Sequence, residues 1–474
     1  MTRLIYVLIL VAFAGQINAQ ERWTLIQCID YAIKNNISVK QADVQFRLSK
    51  ITANQSRSTR YPTLGGSLNG SYQRGLSENP TTGTLEDQSF VSGSANLQSG
   101  YTLFNWNVRK NTILANNLNA KADEIGVDKA KNDISLAIAN AYLQIMLRRE
   151  QARISEVQMG QSRSQLQNIR KLVEAGSQPE LNAIQVEAQL AKDSSTLLGA
   201  QALIQQAIIN LKAYMNIDFA TPFDISSPNI NLIPVDNITD LQPESVYNIA
   251  LTTQPTQRMY KLRIESGKYQ ISAARGSMYP DLSAFIGLNT RAINSRFPIG
   301  TITPAGETGA FVLVGGTQYE VLAPSFKQTG EAGVPFFKQV RTNFGQQFGL
   351  SLNFPIFNNY NARSQWERAK LNVSQLQLQN DQENLNLKAN IYNAYQDAYA
   401  ALQKFNASKR TVEYSQKAYD ISKKRYDIGL LGTLDFIITQ NNLYLAQIDS
   451  ISSQYDYIFK MKVLEFYKGH GIKL

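Results

Sequence analysis

Segments of this chain recur at fixed spacings, and an internal repeat restricts the fold before any single motif does. Tyr61-Pro62-Thr63-Leu64 returns as Tyr279-Pro280-Asp281-Leu282, an offset of 218 in the numbering. Tyr101-Thr102-Leu103-Phe104-Asn105 returns as Phe354-Pro355-Ile356-Phe357-Asn358, an offset of 253. Asn140-Ala141-Tyr142 returns as Asn393-Ala394-Tyr395, and Gly176 with Leu181-Asn182 returns as Gly429 with Leu434-Asp435, both at that same offset of 253. Three matches at one spacing read as two copies of one unit. The difference between the two offsets places 35 extra positions between the two strands of the second copy.

Each unit reads helix, strand, strand, long helix, helix. The stretches 38–59 and 255–277 are helical in pattern and end where a proline forbids continuation. The period then changes to two. Over 64–75 Leu64, Leu68 and Tyr72 alternate with Ser67, Asn69, Ser71 and Gln73; over 90–104 Val91, Ala95, Leu97, Tyr101 and Leu103 alternate with Ser92, Ser94, Asn96, Gln98 and Thr102. The second copy gives Leu282, Ala284, Ile286 and Leu288 over 282–292. It then gives Phe344, Phe348, Leu350, Leu352, Phe354 and Ile356 over 344–357. Such alternation means one apolar and one wet face. The lengths suit tilted strands that cross a bilayer, roughly 9–11 residues each. Tyr61, Tyr101, Tyr279 and Phe354 fall at the helix–strand junctions, as an aromatic belt at one membrane interface would. A soluble antiparallel sheet shows the same alternation, so that alternative stays open here. Four strands cannot close around anything, and hydrocarbon tolerates no open sheet edge. A barrel built from this chain therefore draws strands from several protomers.

The stretches 105–175 and 358–428 contain no proline and read as helices of about 70 residues, roughly 105 Å at 1.5 Å per residue. Leu387, Ile391, Ala394, Ala398, Ala401 and Phe405 keep a 4-3-4-3-4 spacing, as do Ile134, Ile138, Ala141 and Ile145. This is a coiled-coil seam. Each long helix stops at a glycine, Gly176 or Gly429, suited to a left-handed cap, and a partner helix returns over 180–214 or 433–467. The domain plan is thus a first repeat over 20–214 with its hairpin at 105–214, and a second over 246–467 with its hairpin at 358–467. Residues 215–245, with Pro222, Pro228, Pro234 and Pro243, read as irregular structure wrapped around the hairpins. The extra positions fall in a glycine-rich insertion over 293–343, with a short strand pair at Phe311–Val314 and Tyr319–Leu322, on the extracellular side. Residues 468–474 form a tail.

The stretch 1–19 reads as a secretory signal peptide. Arg3 precedes the apolar run Leu4–Ala14, too short to span a bilayer, and cleavage is expected after Ala19. The chain of 474 residues holds one His and one Cys, which excludes a multi-ligand zinc site, a disulfide framework and a Cys–His nucleophilic pair. Its net charge of +10 is scattered, not gathered into arms, and reads as a solvated surface, with no nucleic acid as partner. No phosphate-binding, nucleophile-elbow or zinc-protease motif is present, and His470 is the only imidazole. No catalytic residue, metal or cofactor is expected.

The element order, the Tyr-Pro junctions and the hairpin-tip pattern Tyr426-x-x-Gly429-x-x-x-x-Leu434-Asp435 make the chain resemble the TolC family of outer-membrane efflux ducts, from about residue 23 to 467. The resemblance implies a mainly α fold with β: a homotrimer whose four strands per protomer build a twelve-stranded outer-membrane barrel above a periplasmic tunnel of helical hairpins. It implies an exit duct for tripartite efflux or type I secretion in a Gram-negative outer membrane. Its partners would be membrane lipid, a periplasmic adaptor (membrane fusion protein) and an inner-membrane pump. By position, Asp435 matches the family's aperture carboxylate and Asn182 its counterpart in the first hairpin. In a trimer a narrow carboxylate ring selects cations. Tyr426 matches the tyrosine that latches neighbouring hairpins. Leu431 stands where some members have a latch arginine, and Ile438 where some have a second acidic ring, so the resemblance leaves two readings of the latch: a looser one, or one sealed by apolar contact. Gly176, Ser177, Gly429 and Leu430 are the tips expected to dock the adaptor. Taken alone, Asp435 is also an ordinary solvated helix-start residue. The competing reading of the chain is a periplasmic or secreted coiled-coil structural protein without a channel.

Overall fold

The computed structural model describes residues 22–78, 85–227, 230, 233–294 and 297–469. The expected signal peptide, Pro228 and His470 lie outside the described residues. Two compact units are present: a helical one (1–53, 114–268, 370–474) and a strand-bearing one (54–113, 269–369).

In chain order the elements are α1 (Leu25–Asn35), α2 (Ile37–Ser58), β1 (Thr63–Glu78), β2 (Leu85–Phe104), α3 (Val108–Glu174), α4 (Glu180–Met215), a 3-10 turn (Ile238–Asp240), α5 (Pro243–Thr253) and α6 (Pro255–Gly276). There follow β3 (Asp281–Ile293), β4 (Phe297–Val314), β5 (Thr317–Ala332), α7 (Phe336–Thr342), β6 (Gly345–Asn353), α8 (Asn361–Asp427) and α9 (Thr433–Lys468). The bounds follow the two sequence spacings. The pair α1–α2 precedes α5–α6 by the shorter spacing, and α3–α4 precedes α8–α9 by the longer one. Both α3 and α8 have 67 residues, and both α4 and α9 have 36.

Local chemistry sets these boundaries. Thr24 and Gln27 form a capping box at the start of α1, with Thr24 N donating to Gln27 Oε1 at 2.8 Å. Both α4 and α9 end at residues in the left-handed region, Asn216 (φ 57°) and Gly469 (φ 93°). The long helices start later than their sequence pattern suggests, at 108 and 361 rather than 105 and 358. Two consecutive left-handed residues precede each: Trp106 and Asn107 (φ 51° and 62°), then Asn359 and Tyr360 (φ 54° and 58°).

In the strand unit β1, β2, β3 and β6 form an antiparallel sheet in that order, and β4 pairs with β5 in a separate hairpin. Cross-strand register decides which side chains share a face. Leu68 stands opposite Ala95, Tyr72 opposite Val91, Leu97 opposite Leu288, Ile286 opposite Phe348 and Leu282 opposite Leu352. These alternating apolar positions of the four strands therefore lie on one face. The other face carries Ser71 against Ser92, their hydroxyls 2.7 Å apart, and Gln98, Asn289, Gln347 and Ser351. The apolar face is open: Leu68 is 86% and Phe348 88% exposed in the single chain.

Two expectations are corrected. The fourth strand ends at Asn353, so Phe354 and Ile356 lie beyond it, because Pro355 has no N–H to give a ladder. The insertion is no glycine loop with a short strand pair; β4 and β5 run 18 and 16 residues and turn at Gly315 and Gly316, both left-handed (φ 61° and 86°).

The core lies in the helical unit. One cluster joins α1, α3 and α4 through Leu25, Cys28, Ile138, Tyr142 and Leu211, with Ile225 and Ile233 from the irregular segment inserted among them. A second joins α5, α8 and α9 through Leu241, Val246, Ile391, Met461 and Leu464. Buried lysines fix the irregular segment to the hairpins: Lys212 Nζ donates to the Phe219 and Thr221 carbonyls at 3.0 and 2.5 Å. Lys462 Nζ donates to Pro234 O at 2.5 Å and Glu465 Oε2 at 2.8 Å, while Glu465 Oε1 accepts from Asp236 N at 2.9 Å. Each ammonium thus replaces its lost water with carbonyl or carboxylate oxygens. Among the described residues no helix is long and apolar enough to cross a membrane.

Burial pushes the Cys28 thiol up to about 12 and leaves it 0% exposed. Iodoacetamide in mildly alkaline buffer is expected to leave Cys28 unmodified in the folded protein and to label it fully in concentrated guanidinium. Peptide mass mapping checks this, and rapid labelling of the folded protein would contradict the packing of α1.

Candidate functional site at the hairpin tips

The two tips are built alike. After α3, Gly176 (φ 71°) places its N–H on Val173 O and Ser177 N on Leu172 O, both at 2.9 Å. After α8, Gly429 (φ 76°) places its N–H on Tyr426 O at 2.9 Å and Leu430 N on Arg425 O at 2.8 Å. Both are Schellman caps, which glycine adopts at no Cβ cost. Each cap reverses the chain into the returning helix. Asn182 and Asp435 accordingly stand at the third position of α4 and of α9.

Six of the expected tip residues line one cavity of about 1340 Å³: Ser177, Asn182, Tyr426, Gly429, Leu430 and Leu431. Asp435 and Ile438 are exposed on the first turns of α9 and do not line it. Gly176 does not line it either. Within one chain Tyr426 and Asn182 are not hydrogen-bonded to each other. Tyr426 stacks on Phe436, ring centroids 4.6 Å apart and planes 8° from parallel, and packs against Leu166, Ile169, Val186 and Ile437. Asn182 Nδ2 donates to Gln178 Oε1 at 2.7 Å. Asp435 lies in the first turn of α9, where the helix dipole favours a carboxylate. Exposed Leu434 and Ile438 flank it.

Sequence reasoning missed the aromatic floor and the polar seam. Phe436 and Tyr419 complete the stack with Tyr426. Burial, with Asp420 and Asp427 nearby, pushes the Tyr419 phenol up, so it stays a donor. The seven-residue spacing of Tyr419 and Tyr426 was the available signal. The repeat hid Phe436, because Ala183 occupies its position in the first copy. The seam joins the two hairpins through polar pairs. Gln151 Nε2 donates to Ser452 Oγ at 2.9 Å, Ser155 Oγ lies 3.0 Å from the Tyr444 hydroxyl, and Gln189 Nε2 donates to Asn441 Oδ1 at 3.0 Å. Buried Asp193 accepts from Ser162 Oγ at 2.6 Å and from Gln189 Nε2 at 2.8 Å.

The expected interface belt lies in the strand unit at the ends where strands meet helices. Tyr61 and Phe354 are exposed, and Tyr101 is covered by the Arg109 guanidinium, 4.9 Å from the ring centroid. Tyr279 stacks with Trp106 at 4.9 Å, and Trp106 also meets Phe104 at 5.3 Å and donates its indole N–H to Pro280 O at 2.9 Å. Trp106, absent from the expected set, touches Phe104, Tyr279 and Pro280 at these strand ends. Among the described residues no cluster of His, Cys, Asp or Glu is placed to hold a metal.

The sequence profile of the outer membrane efflux protein family matches residues 28–216 and 332–467, more than half of the chain. The chain belongs to this family. A curated relative, the pyoverdine export outer membrane protein OpmQ of Pseudomonas aeruginosa, is 22% identical over 269 residues. That alignment covers 55% of this chain and 55% of OpmQ, so the chain spans about half the length of the curated relative it matches. Two solved structures share the outer membrane efflux fold. CusC aligns with a TM-score of 0.75 at 16% identity, over 94% of this chain and 91% of its own. The CmeC outer membrane channel of Campylobacter jejuni aligns with a TM-score of 0.72 at 17% identity, over 95% and 86%.

Asp193 holds two buried donors at the seam, and an Asp193→Ala change takes the acceptor from Ser162 Oγ and leaves Gln189 Nε2 with Asn441 Oδ1 alone. Loss of about 1–3 kcal/mol of stability is expected. Urea unfolding reports it, and an unchanged midpoint would remove Asp193 from the seam.

Proposed function

We propose that the chain is the outer-membrane exit duct of a tripartite efflux or type I secretion system, a passive conduit that an inner-membrane pump supplies through a periplasmic adaptor. The observation that carries this is the sheet: four antiparallel strands with one largely apolar face, one polar face and two unpaired edges, β1 and β6. Each apolar side chain left in water forfeits roughly 1.5–3 kcal/mol. Each edge amide left unpaired in hydrocarbon costs several more. Pairing β6 of one protomer with β1 of the next satisfies both demands. Because the four strands alternate in direction, that junction is antiparallel as well. Three copies give twelve strands, polar inside and apolar toward lipid. The aromatic side chains around Trp106 then sit at the periplasmic interface.

In such a trimer the α3–α4 and α8–α9 hairpins line the periplasmic tunnel and their tips form its gate. Asp435 is exposed in the single chain and supplies one carboxylate per protomer to a ring around the threefold axis; Asn182 supplies the matching amides. Leu431 and Ile438 place apolar contact where charge would otherwise latch the hairpins. Gly176, Ser177, Gly429 and Leu430 present the capped tips to the adaptor. The duct wall performs no covalent chemistry, and cargo choice belongs to the pump.

Two measurements test this reading. Purified protein is expected to migrate on gels as a heat-modifiable trimer from the outer-membrane fraction; a monomer from the soluble fraction would refute the barrel. In planar bilayers the wild type is expected to favour cations, and Asp435→Ala to bring the cation-to-anion ratio toward unity. An unchanged ratio would remove Asp435 from the aperture.

A further inference from the structure

The segment between β5 and β6 builds a feature that an exit duct does not require. Helix α7 (Phe336–Thr342) lies against the apolar face of the sheet, at the strand ends remote from the helix junctions. Its packed side is set by Phe336, whose ring lies where a Cβ on Gly93 would meet it at 3.0 Å, and by Gln339. Gln339 Nε2 donates to Ile293 O and Val334 O, both at 2.7 Å, and its Oε1 accepts from Ile293 N at 2.9 Å. Thr290 Oγ1, on the apolar face, donates to Val340 O at 2.7 Å. Gly93, Thr290 and the buried Ala292 belong to the face that carries Leu97 and Leu288, so α7 stands on the side that would meet lipid.

The other side of α7 is amphipathic in a particular way. Phe337 is 85% exposed, and Lys338 and Arg341, three positions apart and hence on one helix face, are exposed too. Neither cation has an ion-pair partner among the described residues. On the same sheet face lies an apolar depression of about 530 Å³, with Ala95 and Gly66 as its small floor and Leu68, Leu97, Leu288 and Phe344 as walls. Small side chains at Ala95 and Gly66 make the depression; a sheet selected only for bulk lipid contact has no need of one. Thr290 lines this depression and donates to Val340 O of α7, so the helix that carries the basic pair adjoins the apolar groove, a combination that matches a phosphate joined to hydrocarbon chains.

We propose that α7 and this groove form a binding site for a phosphorylated, multiply acylated glycolipid of the outer leaflet, with its phosphate on Lys338 and Arg341 and one acyl chain in the groove. The proposal rests on the barrel reading, which puts the strand ends remote from the helices at the outer surface, where this lipid class resides. Phe337 then enters the acyl–headgroup boundary and fixes the depth of the rim.

The test titrates purified full-length trimer with diphosphoryl lipid A and, separately, with phosphatidylglycerol, and counts bound lipid by native mass spectrometry. Lipid A is expected to bind Lys338→Gln/Arg341→Gln about thirtyfold more weakly than wild type. Ala95→Phe, which fills the groove, is expected to weaken binding with the basic pair intact, and exchanging the pair (Lys338→Arg with Arg341→Lys) to preserve it. All variants are expected to keep heat-modifiable migration and wild-type conductance, which shows that they fold. Equal lipid A binding by wild type and the glutamine variant, or phosphatidylglycerol binding as tight as lipid A, would overturn the proposal while leaving the barrel standing. A wild type that is not heat-modifiable would overturn the barrel and this site together.

Discussion

Unpaired backbone amides on β1 and β6 are the constraint on which the rest of the structure depends. Within one chain the sheet has satisfied its inner strands and left two edges open, beside an apolar face that no part of the sheet covers. Natural sheets blunt such edges with charge, proline or a bulge. Here β6 presents Gln346, Phe348, Leu350 and Leu352, and β1 presents Leu64, Leu68 and Tyr72, with no charged residue in either central stretch. An edge of that composition is built to be paired. In the trimer proposed above, pairing between copies would remove the edge and give the apolar face a lipid environment in a single step, so that assembly and membrane insertion would be one event.

The helical unit answers a different problem, which is how the very long helices α3 and α8 keep one register. Coiled-coil seams alone tolerate slippage by a heptad. The irregular segment prevents it by threading Ile225 and Ile233 into the hydrophobic cluster and by giving its carbonyls to Lys212 and Lys462, both 5% exposed. Tyr142 adds a third tie, its hydroxyl lying 2.9 Å from Ser226 Oγ. Arg149 adds a fourth by pairing with Asp224. These ties sit on side chains of fixed length, so a shifted helix would strand a buried ammonium without oxygens, at a cost far above that of a misplaced leucine.

Much of this was legible in the sequence because period and punctuation report backbone state directly. The alternation in 64–75 and 282–292 gave strand and face together, and Gly176 and Gly429 gave both tips. Legibility failed where a residue's role depends on a partner distant in sequence. Phe354 continues the alternation yet lies outside β6, since Pro355 ends the ladder. The glycines of β4 and β5 read as loop, yet a long two-stranded ribbon pairs them regardless, its propensity overridden by cross-strand hydrogen bonds. Trp106 has Asn359 at its position in the repeat, and its contacts with Tyr279 and Pro280 depend on neighbours distant in sequence. At the tips the glycines were plain, but the Tyr426–Phe436 stack was not, since aromatic stacking has no period of its own.

Packing quality changes along the hairpins, and the change has a direction. Midway, Ile138, Tyr142, Ile145 and Leu211 are fully enclosed by apolar neighbours. Toward the tips a small apolar cluster of Leu166, Ile169, Val186 and Ile437 shares the contact between hairpins with glutamine and serine, and Gln158 Nε2, Gln165 Nε2 and Gln440 Oε1 are buried without hydrogen-bond partners among the described residues. Orphaned polar atoms cost stability that an apolar core residue would have supplied. Local opening is cheapest where such groups concentrate. Separation of the hairpins at this end exposes a small apolar cluster together with amides that water can satisfy at once, whereas separation midway exposes a larger set of isoleucine and leucine that water cannot. The same sequence thus makes a clamp at the middle and a softer seam toward the tips, and in the gate proposed above any opening would begin from the softer end.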